Sequence, residues 1–112
     1  MTQITVQESG GRYRLTAVGH ATGSSEVCAA VSGLVYALGG YLKNLERAGA
    51  VELRSFLLES GAAELEAQGG AARAPFEMAA VGLLQIAAKY PKQVRVDTKN
   101  FFKIPGGSFA PP

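Results

Sequence analysis

Residues 26–47 read EVCAAVSGLVYALGGYLKNLER, and this stretch decides the fold. Val27, Val31, Leu34, Val35, Leu38, Leu42 and Leu45 recur at spacings of three and four, which puts them on one face of a helix of about 20 residues. Ser24 or Ser25 can cap its start. Glu26 then lies in the first turn, where its charge complements the helix dipole, and Lys43 and Arg47 do the same near the far end. The apolar run from Val27 to Leu42 is interrupted by Ser32 and three glycines. It falls short of the roughly 20 residues a bilayer span needs, so it reads as a core helix. Gly39-Gly40 weakens the interior by about 1 kcal/mol per glycine relative to alanine. A glycine pair there predicts close backbone packing or a bend.

On the N-terminal side of this helix, Ile4 and Val6 alternate with Gln3, Thr5 and Gln7, Ser9-Gly10-Gly11 supplies a turn, and Tyr13, Leu15 and Ala17 resume the alternation. That is a hairpin. On the other side, residues 51–58 and 63–67 make a second hairpin joined through Ser60-Gly61. Pro75 then marks a helix's first position, and Phe76, Ala79, Ala80, Leu83, Leu84 and Ala87 form its apolar stripe before a stop near Tyr90 and Pro91. Val94 and Val96 give a last strand. From about residue 99, KNFFKIPGGSFAPP is too rich in proline and glycine to continue it and reads as a mobile tail. The expected fold is α+β: a small mixed sheet of about five strands with two helices on one face, in the order ββαββαβ.

Composition agrees with one globular domain. The chain has 112 residues, 47% of them hydrophobic and 18% charged, a balance that argues against disorder. Eleven basic and nine acidic side chains leave a formal charge of +2 without a clustered basic patch, which gives no support to direct nucleic-acid binding. No membrane role is expected. A single cysteine forms no internal disulfide, and MTQITVQESGGRYR lacks the basic-then-apolar layout of a secretory signal, so a cytoplasmic location is expected.

The only histidine, His20, follows the second strand, and the only cysteine, Cys28, falls in the opening turn of the long helix. The thiolate is the reactive form of cysteine, and the partial positive charge and unpaired amides of a helix start stabilise it. The amides around residues 26–29 could also hold an oxyanion formed when a carbonyl is attacked. Seven glycine- and serine-rich residues separate the two side chains, enough for the chain to fold back and bring them into hydrogen-bond reach. Spacing alone leaves two readings open: a catalytic pair, or a small buried cysteine beside a loop histidine. One histidine and one cysteine make no zinc cluster, and the glycine pairs lack the lysine of a phosphate-binding loop.

The stretch GHATGSSEVCAAVSGL resembles the signature of the ribosomal-processing cysteine protease (Prp) family in Gly19-His20-Ala21, Gly23, Val27-Cys28-Ala29 and Ser32. The strand and helix order resembles that family's small domain. The resemblance implies a thiol protease with His20 as general base and Cys28 as nucleophile. Ser25, Glu26 and Ala29 would then serve as helix cap and oxyanion site, and Gly19, Gly23 and Ser32 would contact substrate. No metal or organic cofactor is implied. The implied role in ribosome biogenesis is removal of the N-terminal extension of the large-subunit ribosomal protein bL27, and the implied partners are that peptide and a second copy in a homodimer. Two features depart from the family's pattern: the loop between histidine and cysteine is shorter, and Ser25 stands where an aspartate is common. A non-catalytic binding module that keeps the fold is the alternative. Asn100-Phe101-Phe102 resembles the paired phenylalanines of the family's substrate, which leaves two roles for it: a segment that competes with substrate, or an aromatic anchor for the last strand.

Overall fold

The computed structural model describes residues 1–19, 25–99 and 101. The first hairpin forms as expected, with β1 (Thr2–Ser9) antiparallel to β2 (Arg12–Val18) and Ser9 opposite Arg12. Its two linking residues, Gly10 and Gly11, have φ of 58° and 82°, the left-handed values of a type I′ turn, which glycine adopts without strain. The long helix α1 (Ser25–Arg47) leads to a second hairpin of β3 (Glu52–Glu59) and β4 (Ala62–Gln68). A 3-10 turn at Gly70–Ala72 feeds directly into α2 (Arg73–Lys89), and β5 (Val94–Asp97) closes the order ββαββαβ.

The sheet runs β3-β4-β2-β1-β5. Every pairing is antiparallel except β1 with β5, so the sheet is mixed. Ile4, Val6, Leu15 and Leu65 on one face are fully buried with Val27, Leu42, Phe76 and Leu83 from the two helices. The opposite face is polar, and there Arg14 lies between Glu64 and Glu66. α1 is long and apolar enough to cross a membrane, by length and composition alone. Six of its residues, Val27, Val31, Val35, Leu38, Gly39 and Leu42, are nevertheless buried inside the protein, as a core helix requires.

Three local expectations are refined. α2 begins at Arg73 rather than Pro75, because the preceding 3-10 turn already sets the helical direction. Pro75 still sits in the first turn, where its missing N–H removes no intrahelical bond. Close packing accounts for only one member of the glycine pair. A Cβ on Gly39 would meet Leu58 Cδ1 at 3.2 Å and the Phe56 ring at 3.4 Å, whereas one on Gly40 would enter open space. Lys43 does not serve the helix end. Its ammonium lies 4.4 Å from the centre of the Phe56 ring, and Arg47 is the basic residue of the last turn. A feature with no counterpart in the expectations is Gly82 of α2, which permits the two helices to approach, since a Cβ there would stand 2.8 Å from Leu34 Cδ1.

Phe101 is 3% exposed, meets the Tyr13 ring edge-on at 6.2 Å and has the Arg73 guanidinium above it at 5.8 Å. A hydrogen bond with Tyr13 raises the Arg73 pKa above its ordinary value, with Glu77 adding to the effect. Phe101 is therefore an anchor on the core, which supports the second of the two roles expected for the aromatic pair. Asn100, Phe102 and the remainder of the expected mobile tail lie outside the described residues.

Candidate functional site

Three parts of the chain meet where β2 ends, α1 begins and the β3–β4 turn projects. Residue 18 of β2 pairs with Ala62 of β4, and the ladder runs one rung further, with the Gly19 N–H donating to the Gly61 carbonyl at 2.9 Å. Gly19 has φ of 98°, and a Cβ built on it would lie 2.3 Å from the Met1 carbonyl oxygen. Both the backbone angle and the neighbouring β1 thus demand glycine at the position before His20.

A cavity of about 290 Å³ occupies this end of the molecule. Gly19 and Cys28 both line it. Cys28 is half-buried in the opening turn of α1, and Ser32, Val35 and Tyr36 extend the same wall along the helix. The facing wall is the end of the second hairpin, Leu58 to Ala63, and Thr2 and Ala17 contribute from the sheet. The space is lined by apolar groups with a few polar ones around them, a chemistry suited to a peptide segment whose side chains enter and whose backbone stays at the rim.

Among the residues singled out from sequence, Gly19, Cys28 and Ser32 come together on this cavity. Ser25 and Glu26 open α1 and are exposed, with Glu26 in the first turn, and Ala29 is exposed one residue beyond Cys28. His20, Gly23 and the alternative cap Ser24 lie outside the described residues. Sequence reasoning missed Tyr36, Glu59, Ser60 and Gly61. Tyr36 had a signal, since it falls two turns after Cys28 on the same helix. The hairpin residues had none, because their place at the cavity depends on the pairing register of β2 with β4.

Comparison with known proteins identifies the family and the fold. The description "Cysteine protease Prp" belongs to a family profile that matches residues 1–95. No curated protein matches the chain. Among solved structures, the essential ribosomal processing protease Prp from S. aureus, in complex with a covalently linked product peptide, superposes with a TM-score of 0.73 at 16% identity, covering 88% of this chain and 100% of that one. The same S. aureus protease in complex with a substrate peptide gives 0.67 at 14% identity, with the same coverage. SMU.848 from Streptococcus mutans gives 0.63 at 26% identity, covering 88% of this chain and 93% of that one. With the family profile spanning all seven regular elements but the end of β5, the chain belongs to the Prp cysteine protease family.

Proposed function

We propose that this protein is a cytoplasmic endopeptidase that trims the N-terminal extension of the large-subunit ribosomal protein bL27, using Cys28 as nucleophile and His20 as general base. The observation that carries the reading is that Cys28 and Gly19, the residue joined to His20, line one cavity. Membership of the Prp family and the likeness to a protease crystallised with substrate and product peptides support the same conclusion.

In the proposed reaction His20 accepts the Cys28 proton, and the sulfur attacks the scissile carbonyl to form a C–S bond. The oxyanion is held by backbone N–H groups at the start of α1, around Glu26 to Ala29, whose dipole favours negative charge. Ser25 caps that end, and Gly19, Gly23 and Ser32 contact the peptide. The amine leaves with the proton taken up by His20. Water then cleaves the thioester, releasing the acid and restoring the thiol. No step calls for a metal or an organic cofactor.

The working unit in this reading is a homodimer formed through the outer face of α1. Ala30, Gly33 and Ala37 are exposed there, small residues that let a second helix approach closely, and the exposed ring of Tyr41 adds aromatic surface beside them. Gly39 is excluded from that contact because it packs on β3. Light scattering after size exclusion should give twice the chain mass, and Ala37→Arg should return it to one.

Incubation of the protein with the extended bL27 N-terminus should yield a single N-terminal cut, and Cys28→Ala and His20→Ala should each remove it while leaving the circular dichroism spectrum unchanged. Cleavage that persists in Cys28→Ala would sink the assignment. Binding of the uncut peptide without turnover by the unaltered protein would instead favour a binding module.

A further inference from the structure

Glu59 is the one charged side chain among the described residues lining the cavity. It ends β3, is exposed, and forms no ion pair among the described residues. Its position is firm, because the turn that follows it is tied to β2 by the Gly19–Gly61 hydrogen bond. Across the cavity stands Tyr36, 54% exposed, on α1. A carboxylate attracts a cation by its charge, and the face of a phenol ring attracts one by its quadrupole. The one carboxylate and the one aromatic ring among the described lining residues therefore favour the same ligand chemistry.

We propose, resting on the cysteine protease reading above, that Glu59 and Tyr36 form a subsite for a lysine or arginine side chain of the substrate peptide. The helix sets its distance from the cut. Tyr36 lies eight residues beyond Cys28, about 12 Å along α1 at 1.5 Å per residue. An extended peptide advances about 3.4 Å per residue, so the cation belongs three or four residues from the scissile bond. A norleucine side chain fits the same space without the electrostatic gain, and a glutamate is repelled by Glu59.

The test is a set of extended peptides in which each position on either side of the cut carries lysine, norleucine or glutamate in turn, with cleavage rates read by mass spectrometry at low salt. Lysine should exceed norleucine in kcat/KM by about 3- to 5-fold at one position three or four residues from the cut, the size expected of a partly exposed charge pair. Glu59→Gln should halve that ratio or reduce it further. Glu59→Lys should invert it, so that the glutamate peptide becomes the better substrate. Tyr36→Leu should lower the preference for lysine without inverting it. An unchanged lysine preference in Glu59→Lys overturns the subsite while leaving the protease intact. If the unaltered protein cleaves none of the peptides, the protease reading fails instead. The subsite is then judged by fluorescence anisotropy with the Cys28→Ala protein, where equal affinity for lysine and glutamate peptides would overturn it.

Discussion

Substituting Gly19 by alanine perturbs the residue that leads into the proposed active site, and the structure gives its cost in two parts. A φ of 98° lies outside the region alanine adopts comfortably, a strain of about 2 kcal/mol. The added Cβ would also stand 2.3 Å from the Met1 carbonyl oxygen. Close carbon–oxygen contacts are found at about 3.3 Å, so one of the two segments must move by about 1 Å. The movement pulls on the hydrogen bond from Gly19 to Gly61, and losing it adds about 1 kcal/mol. The total is about 3 kcal/mol, or a fall of about 15 °C in Tm for a domain of this size. Gly10→Ala is the matched control. Its φ is also positive, at 58°, but nothing lies within 4 Å of the new Cβ, so it should cost only about 1 kcal/mol. Guanidinium denaturation of the two variants, followed by circular dichroism, measures the difference. Equal losses would refute the claim that β1 and the Gly61 rung hold Gly19 in place.

Phe101→Ala empties a site that is 3% exposed and removes the edge-on contact with Tyr13, so it should destabilise the fold by about 3 kcal/mol in the same denaturation assay. A loss under about 1 kcal/mol would mean that the aromatic ring is not an anchor. Gly82→Val should push α2 away from Leu34, with a cost of about 2 kcal/mol. The double variant Gly82→Val with Leu34→Ala should recover part of it, measurable as a non-additive change in denaturation midpoint.

The two-residue alternation in β1 and β2 was readable because only one face of those strands is buried: Ile4, Val6, Leu15 and Ala17 point inward and their neighbours do not. α1 was readable for the corresponding reason at helical period. The start of α2 was less so. Residues 71–74 offer no capping side chain, and the 3-10 turn blurs the boundary. For the site, Cys28 announces itself by its place at a helix start, since that effect is local. The facing wall does not. Leu58 to Ala63 reach the cavity through the pairing of Val18 with Ala62, a contact between residues 44 apart in the chain that no local pattern encodes. The neighbour relation of β1 and β5 was likewise hidden, because a four-residue strand following a helix can join either edge of a sheet.

The pairing of β3 with β4 slips by one between Leu53 and Ser55, so that Leu53 lies opposite Ala67 while Phe56 lies opposite Leu65. Arg54 is the supernumerary residue, and it shifts the phase of the strand: inward side chains are odd-numbered before it and even-numbered after it. A deletion of this one arginine would remove its contacts with Gln68 and Glu52 and present a straight, regular border bearing Phe56, Leu57 and Leu58 to any passing strand. An irregularity of this kind disfavours edge-to-edge pairing with a second sheet, and Arg54 places one on β3, an edge strand.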